Sequence, residues 1–227
     1  MKKRPHTTIV LAMTVDGKIS DRQGTAARFG SAADKAHLEQ QVALADGVIF
    51  GAGTLRAYET TISVSNPLLL QKRQERGQPP QPVQIVVSAS ANFDPQWRFF
   101  QQPVPRWLLT LANSQVSHSD RPEFSRIVRA PGHNAKINWE NALKQLSQLG
   151  LKRLAILGGG ELVASLITAD LIDDLWLTLC PLILGGNSAP TPVGGEGLMQ
   201  IAGKQLQLLE VKQIEQELFL HYSFISS

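Results

Sequence analysis

Apolar residues in this chain fall into two rhythms. Short, nearly unbroken apolar runs at 7–13, 46–50, 83–88, 107–111 and 153–157 predict strands buried on both faces, and 125–128 predicts a shorter one. Between them the spacing lengthens to that of helices. Ser31 is placed to cap a helix over 32–44, whose Ala33, Ala36, Leu38, Val42 and Ala43 form an imperfect stripe. Asn138 is placed to cap another over 139–149, with Ala142, Leu143 and Leu146 inward and Gly150 as its stop. A further helix follows the glycines at 158–160. After it, 171–179 alternates into a strand, and 206–211 with 218–224 flank 213–217 in a hairpin pattern. The stretch 66–82, rich in Gln, Arg and Pro, reads as an exposed loop holding a short helix, and 185–197 as a Gly/Pro-rich loop. Strands alternating with helices, then strands alone, predict one α/β domain over 1–227. Its sheet is mostly parallel with antiparallel strands at the C-terminal edge.

Composition agrees with that picture. At 227 residues, with 43% hydrophobic and 18% charged, the chain can bury a substantial core. A net charge of +3 is mild, and the densest basic run, Gln71-Lys72-Arg73-Gln74-Glu75-Arg76, is broken by an acid. It reads as a solvated helical face rather than a nucleic-acid surface. The basic start, residues 1–4, is followed by an apolar run too short for a signal segment or a membrane span. Cys180 is the single cysteine, so no internal disulfide is expected; a buried, inert thiol in a reducing, cytoplasmic setting is. His37 has no neighbouring ligand set and reads as a packing residue, and no metal is expected.

The candidate chemistry lies where strands end. Residues 153–157 run into Gly158-Gly159-Gly160 and then a helix, a passage that either needs glycine for its backbone angles or lets a phosphate approach backbone N–H groups. Residues 46–50 run the same way into Gly51-Ala52-Gly53-Thr54, where Thr54 serves as a helix cap or as a phosphate or sugar ligand. The first strand breaks at Thr14-Val15-Asp16-Gly17-Lys18-Ile19-Ser20, which sets Asp16 and Lys18 at the strand end where ligands of open α/β sheets gather. Asp-Gly is also a common turn dipeptide.

Together, Ala12-Met13-Thr14-Val15-Asp16-Gly17-Lys18-Ile19, Gly51-Ala52-Gly53-Thr54, Leu157-Gly158-Gly159-Gly160 and the run from Leu179 to Gly186 resemble the reductase of riboflavin biosynthesis. That reductase occurs alone or as the C-terminal half of a deaminase–reductase, and no H-x-E…C-x-x-C zinc-ligand set of a deaminase precedes it here. The resemblance implies a dihydrofolate-reductase-like three-layer α/β/α fold and a homodimer. It also implies NADPH-dependent reduction of the ribose of a phosphoribosylaminopyrimidine, of the 5-amino-6-(5-phosphoribosylamino)uracil type, to a ribityl chain.

By the same resemblance Gly51, Gly53, Thr54, Gly158, Gly159, Gly160, Glu161 and Leu162 would surround the cofactor, and Ser90 would lie near its adenosine end. Asp16 would sit near the reacting carbon or the pyrimidine and help deliver a proton; Lys18, Arg28 and Leu157 would line the substrate. Several positions depart from the family pattern. Tyr58 replaces an aspartate, Leu157 a glutamate and Arg28 a tryptophan, while Val42 and Ser65 correspond to arginines that would hold the substrate phosphate. Ala91 follows Ser90 where a basic residue would help hold a 2′-phosphate. These departures leave a second reading, a same-fold reductase of another small heterocycle or carbonyl compound, and a third, a catalytically silent nucleotide-binding protein.

Overall fold

The computed structural model describes residues 4–133 and 136–225. In chain order its elements are β1 (His6–Thr14), α1 (Ala32–Leu44), β2 (Gly47–Gly51), α2 (Ala52–Tyr58), α3 (Pro67–Glu75), β3 (Val83–Val87) and α4 (Arg98–Gln101). There follow β4 (Arg106–Leu111), β5 (Arg126–Ala130), β6 (Gly132–His133), β7 (Lys136–Ile137), α5 (Trp139–Gln148) and β8 (Arg153–Ile156). The chain continues through α6 (Gly160–Thr168), β9 (Asp174–Cys180), a short 3-10 turn (Gln200–Ala202), β10 (Leu206–Ile214) and β11 (Glu217–Phe224).

Nine strands form one sheet in the order β10-β11-β9-β1-β8-β2-β3-β4-β5. The strands from β9 to β5 are parallel throughout, and β11 and β10 join antiparallel. The apolar runs become these parallel strands because each alternate side chain finds a separate core. Ile9, Ile49, Ile85, Leu154 and Ile156 pack with Leu143 and Leu146 of α5 and Val163 and Leu166 of α6. Val48, Phe50, Val86 and Ala155 pack instead with Val42 of α1, Leu55 of α2 and Phe99 of α4. Each of the fully covered leucines contributes on the order of 1.5–3 kcal/mol. The result is the three-layer α/β/α, dihydrofolate-reductase-like architecture with a mostly parallel sheet and an antiparallel C-terminal hairpin.

The caps fall where the sequence puts them. The Ser31 hydroxyl accepts from the N–H groups of Ala33 and Asp34, and the Asn138 amide oxygen accepts from that of Asn141. Gly150 ends the α5 turn with φ of +93°.

Three details correct the sequence reading. The strand expected over 171–179 begins only at Asp174, because Leu171 and Ile172 turn into the core under α6. Arg73, placed on a solvated face, is fully buried: its guanidinium donates to the carbonyls of Ala43, Ala45 and Pro79 at 2.7–2.9 Å, fastening α3 to the end of α1. The C-terminal hairpin, whose Leu218, Leu220 and Phe224 are expected from the sequence to form an exposed apolar face suited to a dimer, exposes other residues. Leu218, Leu220 and Phe224 are half-covered, whereas Leu206, Leu208, Leu209 and Val211 of β10 are exposed.

Candidate functional site

A parallel sheet sends the carboxyl ends of all its parallel strands to one edge, and the three predicted motifs meet there. β2 ends in Gly51 and β8 runs through Leu157 into Gly158 and Gly159. Gly51 N–H donates to the Gly158 carbonyl, and Gly51 and Gly159 approach so closely that a Cβ on Gly159 would lie 3.7 Å from the Gly51 Cα. Gly158 and Gly159 have φ of +119° and +90°, which side-chain-bearing residues rarely adopt, so their glycine is required by the backbone. The Thr54 hydroxyl stands over both, 3.6 Å from the Cβ position of Gly159 and 3.9 Å from that of Gly158. Thr54 is not a helix cap: Gly51 occupies that position and Thr54 lies inside the first turn of α2.

Gly53 is different. Its φ is ordinary, it is exposed, and a Cβ there meets nothing within 4 Å. Nothing in the fold requires glycine at that position. An open glycine beside two strained ones is what a bound phosphate needs, and this is the observation by which the residues fit a dinucleotide cofactor.

The side chains of Glu161 and Leu162 are engaged elsewhere. Leu162 is buried in the core beneath α6, and the Glu161 carboxylate accepts the Gly195 N–H at 3.0 Å, turned toward the 181–197 loop. Gly160 is pressed against the same loop; a Cβ there would come within 2.9 Å of the Thr191 carbonyl oxygen.

The other end of that loop rests on the Asp16 turn. Gly17 supplies the positive φ (+78°) the turn requires. The Asp16 carboxylate accepts from the Thr14 hydroxyl at 2.5 Å, the Gly185 N–H at 2.6 Å and the Leu184 N–H at 3.3 Å. The Thr14 hydroxyl, with the Gly185 N–H next, holds this carboxyl below the ordinary carboxylate range. Such a group is ionised near neutrality and, through these bonds, anchors the 184–185 segment to the turn. Lys18 reaches the Ala189 carbonyl at 3.4 Å, which keeps its ammonium beside the loop.

The remaining substrate-side positions divide. Arg28 is exposed, next to Ala27, whose backbone N–H and carbonyl both bond the Tyr58 hydroxyl at 3.0 and 3.3 Å. Tyr58, standing where an aspartate is usual, thus fastens the 21–30 segment to α2. Leu157 is half-buried against the core on the α1 side. Val42 is wholly buried and Ser65 binds the Glu39 carboxylate through its N–H and hydroxyl, so Val42 is not a site position at all.

Beside the glycine turns, at the carboxyl ends of β3 and β4, opens a cavity of about 310 Å³ lined by Arg56, Val87, Ser88, Ser90, Leu111 and Ile137 among others. Ser90, expected from the resemblance at the adenosine end of a cofactor, is among the residues lining this cavity. Sequence reasoning missed Ser88, Leu111 and Ile137, which come from three separate segments. Arg56 of α2 lines this cavity as well.

Beneath the Asp16 turn, Cys180 pairs in register with Thr14 and is buried; burial first, then the nearby carboxylates of Glu217 and Asp34, push its thiol up to about 12. Among the described residues no group of His, Cys, Asp and Glu is arranged to hold a metal, and no helix is long and apolar enough to cross a membrane.

Paired glycine turns and an adjoining cavity at the carboxyl edge of a dihydrofolate-reductase-like sheet define the class as an α/β protein with a ligand site at its strand ends; the family that its sequence matches adds that it is a reductase, which implies a nicotinamide cofactor. The chain belongs to the RibD C-terminal domain family, which matches residues 5–220. It is 27% identical over 198 residues to the 2,5-diamino-6-ribosylamino-4(3H)-pyrimidinone 5′-phosphate reductase of Archaeoglobus fulgidus, covering 87% of this chain and 90% of that one. To the protein of the same name from Methanothermobacter thermautotrophicus it is 26% identical over 226 residues, 97% and 98% of the two chains. Among solved structures, a pyrimidine reductase-like protein of Corynebacterium diphtheriae superposes with a TM-score of 0.82 at 20% identity, over 98% of this chain and 93% of that chain. RibD of Acinetobacter baumannii superposes at 0.79 and 16% identity over 99% of this chain and 59% of its own length.

Proposed function

We propose that this chain, acting as one reductase domain over 1–227, reduces the ribose of a phosphoribosylaminopyrimidine to a ribityl chain in riboflavin biosynthesis, with NADPH as the hydride donor. The observation that carries the reading is the contact between the Gly51-Ala52-Gly53-Thr54 and Gly158-Gly159 turns, with Gly53 left open for no reason of the fold. The names of the full-length relatives support the substrate class. The cofactor, when bound, supplies hydride; the chain binds, orients and excludes water. Gly51, Gly53, Thr54 and the backbone of 158–162 hold the diphosphate, and Ser90 meets the adenosine end. On the substrate side Asp16 positions the 182–186 segment, Lys18 and Arg28 supply positive charge for the phosphate, and Leu157 supplies an apolar wall.

The exposed apolar row on β10, Leu206, Leu208, Leu209 and Val211, supports a homodimer, and the buried unpaired thiol supports a cytoplasmic setting. The test is oxidation of NADPH, followed by nicotinamide absorbance, with the 2-amino and the 2-oxo phosphoribosylaminopyrimidine in parallel. Turnover of either above blank is expected. NADPH binding without turnover of either substrate would overturn the substrate assignment while leaving the cofactor site standing.

A further inference from the structure

Resting on the dinucleotide reading above, we propose that Arg56 makes this chain select a 2′-phosphorylated adenine dinucleotide over an unphosphorylated one. Ala91 places no basic residue directly after Ser90, so a charge that recognises a 2′-phosphate would come from another element. The cavity beside the glycine turns shows where. Val87, Leu111 and Ile137 give it apolar walls of the kind that take a flat heterocycle, and Ser88 and Ser90 supply hydroxyls beside them. Arg56 is the charged side chain among its lining residues, and no carboxylate lines it. An acid there would accept a ribose 2′-hydroxyl and repel a 2′-phosphate; an arginine does the reverse.

The helix sets the spacing. Gly53 and Arg56 are three residues apart on α2, which puts them on one face about 5–6 Å apart. A dinucleotide whose diphosphate rests at Gly53 therefore carries its adenosine ribose past Arg56 on the way into the cavity. The guanidinium is also held in readiness. Its central carbon lies 5.6 Å from the centroid of the Phe93 ring, and Phe93 is itself buried among aromatic rings. A cation resting on a ring face loses less freedom when a phosphate arrives, and the planar fork can donate two bonds to it.

The experiment titrates NADPH, NADH and adenosine 2′,5′-bisphosphate against the full chain and its Arg56→Ala, Arg56→Gln and Arg56→Lys variants, with thermal melts as the folding control. The unchanged protein is expected to bind NADPH at least about tenfold more tightly than NADH, the range of a charge-assisted phosphate contact. Arg56→Ala and Arg56→Gln should lose that ratio while NADH affinity stays within about twofold, and Arg56→Lys should keep part of it. Losses of NADPH and NADH affinity in equal proportion, or an unchanged ratio in folded Arg56→Gln, would overturn the assignment of Arg56 and leave the cofactor site intact. Binding of none of the three ligands by the unchanged protein would overturn the dinucleotide reading itself.

Discussion

Gly53 offers a separation of fold from function that few positions allow. Replacing it by alanine adds one methyl group at a site where nothing lies within 4 Å and φ is ordinary. In the second position of α2 that change favours the folded state by about 0.5 kcal/mol, since alanine loses less backbone freedom than glycine and suits a helix better. For a domain of this size the melting temperature should rise by roughly 1–2 °C. On the proposed reading the same methyl group would stand where a phosphate oxygen approaches backbone N–H groups. Forfeiting one charge-assisted bond of about 1.5–3 kcal/mol weakens NADPH binding by at least about tenfold. The assay is a pair of measurements on one variant, a thermal melt without ligand and a fluorescence titration with NADPH. A protein that melts higher and binds NADPH as before would refute the view that a ligand is the reason for this glycine. A protein that melts several degrees lower would refute the open-space reading of the position.

Gly160→Ala should behave in the opposite way. Its Cβ would press on the Thr191 carbonyl oxygen at 2.9 Å and the Gly194 nitrogen at 3.1 Å, both backbone, so overpacking of about 1–3 kcal/mol outweighs the helical gain. A drop of roughly 2–6 °C in melting temperature is expected, and an unchanged melt would show that the 191–194 segment yields freely. Asp34 is raised above its usual 3.8, chiefly by burial and further by the charge of Glu217. Its proton is held more tightly in the folded chain than in the unfolded one, so its contribution to stability is complete below the ordinary value and is lost as pH rises through the raised one. Asp34→Asn should therefore gain in melting temperature relative to the unchanged protein between acid and neutral pH; a difference that stays flat across that range contradicts the assignment. Cys180, with its thiol pushed up to about 12, should be inert to an aromatic disulfide reagent at mildly alkaline pH and react with one equivalent once unfolded. Rapid modification of the native protein would show that the strand end opens.

The sequence carried the layers well because buried parallel strands advertise themselves as short apolar runs, and Ser31 and Asn138 mark their helices by local chemistry. It carried less where the determining partner is remote. Arg73 sits in a polar, charged run and looks solvated; the carbonyls of Ala43 and Ala45 that draw it inward belong to another helix and leave no compositional trace. Val42 was matched to a ligand position along α1, yet the rotation of that helix against β2 and β8 puts it in the core. The four-residue α4 is too short to show a period. At the site, glycine was readable at each turn, but not the difference between Gly159, needed by the backbone, and Gly53, needed by nothing in the fold. Asp16 and Glu161 read as ligand contacts in the sequence; the backbone N–H groups their carboxylates bind come from 184–195.

Those two carboxylates give the 181–197 loop an unusual property. It is tied near one end to Asp16 through Leu184 and Gly185, and near the other to Glu161 through Gly195, while Ile19 N–H bonds the Pro190 carbonyl between them. The number of residues from Gly185 to Gly195 therefore works as a ruler between the turn after β1 and the first turn of α6. Surface loops generally tolerate insertions and deletions. Here β1 and β8, paired in the sheet, fix the distance between those two turns, so a gain or loss of a single residue would break one of the loop's ties, and the segment that looks least structured is constrained in length.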